Sequence, residues 1–232
     1  MDVLVISDTH ITPERSFIEG WKKLGKYCVK NKPEYIVHLG DVADLDSLSF
    51  YVARRGSFTT EEELATIEKH LLAFENELLK AKQKAIKNKK KYYRPVKYLC
   101  LGNHDIRKDF EGIRELFTRH GWIVLDYQVP VKIGNVAFVH NMTYSNSDTV
   151  ITNSEDLLNT WHCSCVVGHS HVLGYANAYS IGENKMLHAI KCPCFNTNLP
   201  NYAIQSGKRW AKGWTEISLN PFQFVWKDLT CL

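Results

Sequence analysis

The chain has 232 residues, of which 44% are hydrophobic, and a formal net charge of +4. This length suits one substantial hydrophobic core and is short for two, so we expect a single domain over residues 1–232. No stretch reaches the roughly 18 uncharged residues that a membrane span needs, and the start lacks the pattern of a signal peptide. Length and composition therefore exclude an integral membrane protein, and we expect a cytoplasmic one.

Cysteine usage indicates a reducing compartment. The seven cysteines are an odd number, and Cys28 and Cys100 lie inside apolar runs, where a reduced thiol behaves as a small core residue. Two C-x-C pairs, at 163–165 and 192–194, could supply four thiolates to a zinc ion if they lie on strands. Because their spacing is not the usual C-x-x-C, ordinary buried thiols are the favoured interpretation.

The first half of the chain alternates short apolar runs with helical patterns. The predicted elements are a strand at 3–7, a helix at 16–32, strands at 35–40 and 96–102, and a helix at 109–121. A strand, a helix and a strand in this order indicate parallel pairing of the strands.

From Trp122 onward the pattern changes to β-hairpins. Alternating apolar residues are interrupted by turn pairs at 134–135, 182–183 and 220–221. A parallel first half and an antiparallel second half predict a mixed sheet, or two packed sheets with helices outside.

A helical insertion at about 59–92 separates two of the predicted strands. Thr59 or Thr60 can cap a helix over about 60–91 whose first turn is acidic. Apolar residues follow in 3-4 spacing from Leu64 to Ala85. This stripe either packs on the domain or pairs with a second copy of the chain, which would form a homodimer.

The stretch 80–97 is rich in lysine. With one arginine and no acid it carries a local charge of +9, counted as eight lysines and Arg94, which leaves 4 − 9 = −5 for the rest of the chain. Such a patch could follow the phosphate backbone of a nucleic acid. It is equally explained as a solvated helix end, since lysines suit the negative end of the helix dipole.

Five predicted strands end in side chains that bind metal ions. These side chains are Asp8 and His10, Asp41, Asn103 and His104, His140, and His169 and His171. Because ligands gather at the carboxyl ends of strands in open α/β sheets, groups spread over 160 residues can meet at one edge.

The chemistry of this set favours two metal ions. Carboxylates, imidazoles and a carboxamide without a thiolate suit borderline divalent ions, namely manganese, iron, zinc, cobalt or nickel. Seven ligands exceed what one structural zinc needs and fit two ions that share a carboxylate. Two such ions can polarise a phosphoryl group, hold a hydroxide at neutral pH and stabilise an in-line displacement.

The blocks D-x-H, G-D, G-N-H-D, H and G-H-x-H stand in this order over residues 8–171 and resemble those of the calcineurin-like metallophosphoesterases. The resemblance implies an α/β fold: a four-layer αββα sandwich of two mixed β-sheets flanked by helices. It also implies a binuclear metal centre, for which we expect Mn²⁺.

The resemblance assigns a role to each of these residues. The implied metal ligands are Asp8, His10 and His171 for the first ion, Asn103, His140 and His169 for the second, and Asp41 as the bridge between them. His104 would lie beside the scissile phosphate and protonate the leaving oxygen, with Asp44 as the carboxylate that keeps it charged and oriented.

Departures from the family pattern bear on the substrate. The protein Ser/Thr phosphatases have an arginine after G-D-x-x-D and read G-N-H-E, where this chain has Leu45 and Asp105. We therefore expect hydrolysis of phosphodiester bonds in nucleic acid or a nucleotide by a metal-bridging hydroxide. The alternatives are a phosphomonoesterase acting on nucleotides, other small molecules or phosphoproteins, and a non-catalytic binding scaffold.

A few further polar residues have weaker assignments. We expect Asp105 to support the site or cap a helix, His38 and His188 to have core or surface roles, and the Asn141 amide to reach toward the substrate. A basic and aromatic group could grip a nucleotide or form a surface hairpin: Lys208, Arg209, Trp210, Lys212 and Trp214.

Overall fold

Two β-sheets make up the centre of the protein in a computed structural model that describes residues 1–49, 58–198 and 210–232. The strands are β1 (Asp2–Ile6), β2 (Tyr35–His38), β3 (Val96–Cys100), β4 (Ile123–Leu125), β5 (Val131–Ile133), β6 (Val136–Val139), β7 (Ser164–Val167), β8 (Gly174–Ser180), β9 (Lys185–Lys191), β10 (Gly213–Leu219) and β11 (Phe222–Asp228). The α-helices are α1 (Ile18–Asn31), α2 (Thr60–Lys87), α3 (Gly112–Arg119) and α4 (Ser154–Trp161).

Both sheets are mixed, as the sequence predicts. The first has the order β11-β10-β1-β2-β3-β4, in which β1 to β4 are parallel and the β10–β11 hairpin is antiparallel to β1. The second has the order β5-β6-β7-β9-β8, with β6, β7 and β9 parallel and an antiparallel strand at each edge. The three predicted hairpin turns are confirmed.

The alternation of side chains along β1 shows how the layers form. Val3 and Val5 face the core between the two sheets, whereas Leu4 and Ile6 face the core under α1 to α3. A third apolar cluster joins the outer face of the second sheet to α4 through Leu157. The four-layer sandwich of helices, sheet, sheet and helix is therefore confirmed.

Helix α2 is the predicted insertion, and its apolar stripe packs on the domain. Thr59 caps it in a capping box with Glu62. Its buried face lies against α1, and His70 Nε2 accepts a 2.8 Å hydrogen bond from Phe17 N, just before α1 begins. Because Phe74 and its neighbours in the stripe are used inside one chain, the homodimer stays a prediction.

The lysine-rich stretch lies at the edge of the first sheet where the parallel strands begin. It covers the last turns of α2 and the start of β3, where Val96 pairs with Tyr35. Lys82 Nζ lies 5.1 Å from the centre of the Tyr92 ring, a cation–π contact. This is the edge opposite the strand ends that carry the candidate metal ligands.

All seven cysteines are free thiols. Burial raises the pKa of Cys100 and of Cys192 to about 12, so both stay protonated at neutral pH. Within the described residues no group that could hold a metal ion includes a cysteine. Of the two C-x-C pairs, Cys165, Cys192 and Cys194 are buried and Cys163 is half-buried. None of the described helices is long and apolar enough to cross a membrane.

Phe74 should be a major contributor to the stability of the α1–α2 layer. The Phe74 side chain is 1% exposed, whereas Leu72, two residues earlier on the same helix, is 44% exposed. We expect Phe74→Ala to lower the free energy of unfolding by about 3–5 kcal/mol, because it leaves a cavity. Leu72→Ala should change it by about 0.5 kcal/mol or less. Urea unfolding followed by circular dichroism measures both, and equal effects would contradict the packing of α2.

Candidate metal centre

The loops that follow β1, β2, β3, β6 and β7 meet at one edge of the sandwich. Backbone hydrogen bonds join neighbouring loops, with Asp8 N donating to Gly40 O at 3.0 Å and Gly168 N donating to His140 O at 2.9 Å. The sheets thus continue for one or two residues beyond the strands. This places the side chains that follow each strand on the same side of the molecule.

The first cluster contains Asp8, His10, Asp41 and His171, whose ligand atoms all lie within 4.8 Å of one another. His171 Nε2 is 3.0 Å from both His10 Nε2 and Asp8 Oδ1. Residues from the start of the chain and from position 171 therefore form one group, as the sequence predicts.

The second cluster contains Asp41, Asn103, His140 and His169. His140 Nε2 lies 3.1 Å from Asn103 Oδ1, 3.2 Å from His169 Nδ1 and 3.4 Å from Asp41 Oδ2. Asn103 Oδ1 is also 3.0 Å from His169 Nδ1. Since Asp41 belongs to both clusters, it is placed where a bridging ligand would be.

The donor atoms of the two clusters fit two divalent ions. Neighbouring ligands that each lie about 2.1 Å from one ion are about 3.0 Å apart when they subtend a right angle. Six of the contacts within the two clusters measure 3.0 to 3.4 Å, close to that separation, and His10 Nε2 lies 3.9 Å from Asp8 Oδ1. Imidazole nitrogens with carboxylate and amide oxygens are a set that manganese, iron, zinc, cobalt and nickel accept.

Hydrogen bonds on the outer side of two imidazoles point their Nε2 atoms into the clusters. His10 Nδ1 lies 2.7 Å from Asp44 Oδ1, and His140 Nδ1 lies 2.6 Å from Leu39 O. A carboxylate and a carbonyl can only accept, so Nδ1 is the donor in both rings and Nε2 is the nitrogen that faces the cluster. This is the arrangement that orients metal-binding histidines.

Several of these residues have left-handed backbone conformations. The φ angles are 51° for Asp8, 42° for His10, 49° for Asp41, 63° for His169 and 57° for His171. Such conformations cost of order 1–3 kcal/mol each outside glycine and concentrate at functional sites. The strain on five candidate ligands therefore supports the assignment of this edge as the functional site.

Two glycines allow the loops to approach this closely. A Cβ on Gly102 would overlap the backbone and carboxylate of Asp41, and one on Gly168 would overlap Ser7 and lie 2.7 Å from Asp8 Oδ2. Side chains at these positions would push candidate ligands apart. The glycine of each block is thus a packing requirement of the site.

The charges in the clusters suit cations. Burial would raise the pKa of Asp8 and of Asp41, but His171 beside the first and His140 beside the second hold both pKa values well below the usual range. Burial and the neighbouring His140 lower the pKa of His169 to about 4. Burial would also lower the pKa of His140, but the neighbouring Asp41 outweighs this effect and raises the pKa to about 9. A metal ion must therefore displace a proton from this histidine.

His104 lies next to both clusters with its side chain 13% exposed. Its backbone N donates to Asp41 Oδ1 at 2.9 Å. Its Nδ1 is 3.2 Å from Asp44 Oδ1, off the angle of a hydrogen bond, and has no other partner among the described residues. Burial would lower the pKa of His104, but Asp41 and Asp44 outweigh it and raise the pKa.

Asp44 serves more partners than the sequence suggests. Of its two histidine partners, His10 is closer to the Asp44 carboxylate than His104 is. Asp44 also pairs with Arg15, which lies 3.8 Å from Asp46. Glu63 on α2 accepts hydrogen bonds from Asp46 N at 3.2 Å and from Ser47 Oγ at 2.7 Å. The helical insertion therefore supports the loop that carries Asp44.

Sequence reasoning missed Arg15, Arg107 and Glu63. Arg107 Nη2 lies 3.3 Å from His104 Nε2. The only sequence signal for Arg107 was a basic residue three positions after the candidate acid, which is too common to be informative. Arg15 and Glu63 had no signal, because each reaches the site from a segment with an ordinary polar pattern.

Asp105 and Asn141, two residues with weaker assignments, are both buried. Asp105 is fully buried and accepts hydrogen bonds from Val42 N and Gly102 N, both at 2.8 Å, so it ties two loops of the site together. Asn141 is 2% exposed and bonds to Tyr127 and Gln128. The expectation that its amide reaches toward the substrate is therefore not met.

His38 and His188 have the core and surface roles that the sequence predicts. His38 is buried, with Nδ1 accepting from Gly40 N at 3.0 Å, and burial lowers its pKa to about 3. His188 stacks on Phe222 with 4.0 Å between ring centres. Neither histidine joins the clusters of candidate ligands.

The basic and aromatic group near the end of the chain is only partly at the site. The Trp210 ring lies 3.8 Å from that of His171 and 5.7 Å from that of His10, measured between centres. Trp214 is buried in the core, and Lys212 Nζ donates to Thr197 O at 2.6 Å. Two members lie outside the described residues, namely Lys208 and Arg209.

Comparison with known proteins identifies a family. The calcineurin-like phosphoesterases match residues 1–193. Among solved structures the chain is similar to a single mutant of Vps29 from Entamoeba histolytica, with 10% identity and a TM-score of 0.46 over 98% of this chain and 100% of that one. It is also similar to the nuclease MPE from Pseudomonas putida, with 15% identity and a TM-score of 0.46 over 96% and 87%. No curated protein matches the sequence.

The shared position of Asp41 gives a test of the metal centre. We expect the wild-type protein to bind two Mn²⁺ per chain and Asp41→Asn to weaken both sites by at least about tenfold, since it removes a charge from both clusters. His140→Ala should lose one ion and keep the other. Calorimetric titration with Mn²⁺ measures this, with His188→Ala as a control that binds two ions. Loss of one ion alone in Asp41→Asn would rule out a bridging role.

Proposed function

The chain belongs to the calcineurin-like phosphoesterase family. We propose that it hydrolyses phosphodiester bonds in nucleic acid or a nucleotide and that it uses two divalent ions, for which Mn²⁺ is the first choice. The observation that carries the proposal is the pair of clusters that share Asp41, with His104 beside them. Neither cluster would need that histidine for metal binding alone. The arrangement suits hydrolysis of a phosphoester.

In this proposal each residue keeps a distinct task. One ion would be held by Asp8, His10 and His171 and the other by Asn103, His140 and His169, with Asp41 available to both. When bound, two such ions activate water and neutralise charge on a phosphoryl group. The protein contributes rigidity, because the candidate ligands are mostly buried and fixed by hydrogen bonds on their outer sides.

His104 is the residue that we propose as general acid. Its raised pKa favours the protonated imidazole, and its partial exposure leaves the ring accessible from the open side of the site. Asp44 lies 3.2 Å from Nδ1, so the other ring nitrogen, Nε2, is the one that can give its proton to the leaving oxygen. Asp44 is then a positioning residue that acts on both His10 and His104.

Preference for a diester rests on residue 45 and on Trp210. Leu45 is fully buried, so the position that carries an arginine in the protein Ser/Thr phosphatases provides no charge here. Trp210 places an aromatic ring beside His171, and aromatic rings of this kind stack on nucleobases. The lysine-rich stretch 80–97 does not contribute to this preference, because it lies at the opposite edge of the sheet.

Phosphomonoester hydrolysis is the second candidate, and Arg107 favours it. The Arg107 guanidinium lies beside His104, so the site has an arginine even though residue 45 is apolar. An arginine at this place suits the two negative charges of a monoester. The two candidates differ in which ester the site turns over faster.

Chromogenic esters separate the two candidates. With Mn²⁺ present, we expect bis-p-nitrophenyl phosphate to be hydrolysed with a higher kcat/KM than p-nitrophenyl phosphate, because the site lacks the phosphatase arginine at position 45. A faster monoester would favour the second candidate. Absence of turnover with either ester, with DNA and with small nucleotides would contradict the proposed function itself.

His104→Ala tests the general acid. We expect kcat on bis-p-nitrophenyl phosphate to fall by roughly two to four orders of magnitude, since proton transfer to the leaving oxygen is lost. Bound Mn²⁺, measured by plasma emission spectrometry, should stay the same. The control is His120→Ala, because His120 bonds to Glu75 at the opposite edge of the sheet. Loss of metal together with activity would make His104 a ligand.

A further inference from the structure

Arg107 is held beside the candidate acid by the backbone of a neighbouring loop. It begins a short 3₁₀ turn three residues after His104. Its Nη1 donates to the carbonyl oxygens of Asp44 and, at 3.3 Å, of Leu45. Its Nη2 lies 3.3 Å from His104 Nε2. The guanidinium is therefore fixed next to the nitrogen from which His104 would give its proton.

No carboxylate of the described residues lies within the 4.0 Å ion-pair distance of the Arg107 guanidinium. Residues 50–57 and 199–209, outside the description, contain no acid in their sequence. Arg15, by contrast, pairs with two carboxylates. The Arg107 charge also acts on Asp46, but Arg107 makes no direct ion pair among the described residues, whereas Arg15 makes two.

An unpaired arginine at this place calls for an anion. Arg107 Nη2 lies at hydrogen-bond distance, 3.3 Å, from His104 Nε2, so the guanidinium faces the same space as this ring nitrogen. The backbone carbonyls occupy Nη1, which leaves donors on Nη2 and Nε. A phosphoryl oxygen accepts charge-assisted hydrogen bonds from such donors.

We propose that Arg107 binds a non-bridging oxygen of the scissile phosphate and sets the relative rates for phosphomonoesters and phosphodiesters. This inference rests on the proposed function and names the residue that recognises the phosphate there. A monoester carries more negative charge around phosphorus than a diester does. It therefore gains more from the guanidinium and loses more when the guanidinium is removed.

The first test compares Arg107→Gln with Lys108→Gln. Lys108 is the exposed neighbour in the same turn, so both variants lose one positive charge. We expect Arg107→Gln to lower kcat/KM for p-nitrophenyl phosphate by roughly ten- to a hundredfold, the size expected for a lost charged hydrogen bond. The loss for bis-p-nitrophenyl phosphate should be smaller, and Lys108→Gln should change either value by about twofold or less.

The second test measures binding without turnover. Calorimetric titration of the Mn²⁺-loaded protein with inorganic phosphate should give an affinity roughly tenfold weaker for Arg107→Gln than for the wild type. Arg107→Lys should be intermediate, because it keeps a point charge without the planar fork. This variant also covers the case in which Arg107→Gln fails to fold. Bound Mn²⁺ should be the same in all variants.

These outcomes separate recognition of phosphate from support of the loop. An unchanged affinity for phosphate in Arg107→Gln, with equal losses for both esters, would overturn the inference and leave Arg107 as an anchor for Leu45. If the wild-type protein hydrolyses neither the two esters nor DNA nor small nucleotides, the proposed function fails. The phosphate titration still decides on Arg107 in that case, since weaker binding supports its role and unchanged binding refutes it.

Discussion

The buried carboxylate of Asp41 is the constraint on which the rest of the site depends. Asp41 is 1% exposed, and a charge removed from water this far is strongly destabilising unless it is paired. One oxygen accepts a hydrogen bond from His104 N, and the other lies 3.4 Å from His140 Nε2. The loops after β2, β3 and β6 are thus tied to one group. Loops that share such a group can hold a two-ion centre with little freedom to move.

Helix α2 explains how a strained loop stays in place near this carboxylate. Glu63 in the first turns of the helix binds Asp46 and Ser47, and Arg15 links Asp46 to Asp44. Asp44 in turn orients His10. The packing of the helix on α1 therefore contributes to the position of a candidate ligand some 50 residues away in sequence. Stability of the helical layer and geometry of the site are coupled through this chain of contacts.

Most of the fold could be predicted because it follows from local patterns. Short apolar runs predicted the parallel strands of the first half, and turn pairs such as 134–135 predicted the hairpins. The parallel pairing of β6, β7 and β9 and the presence of α4 were not predicted, because the second half was expected to be antiparallel. The candidate ligands could be placed at one edge because parallel strands share an end. Arg107 could not be predicted, since its reach depends on a turn in which Lys108 has a φ of 52°. Left-handed conformations at Asp8 and His10 were equally hidden, because neither is glycine.

The distance between the lysine-rich stretch and the candidate metal centre limits the contribution of the stretch to substrate binding. Glu63 lies beside the site and Lys87 ends the same helix, so 24 residues at 1.5 Å each put about 36 Å between them. Exposed charges this far apart do not act on each other, because the screening length at physiological salt is about 8 Å. A duplex that touched both places would need about ten base pairs at 3.4 Å each. A nucleotide or a short ester therefore depends on the residues of the site alone, where, within the described part of the chain, Arg107 places a cation 3.3 Å from the candidate acid.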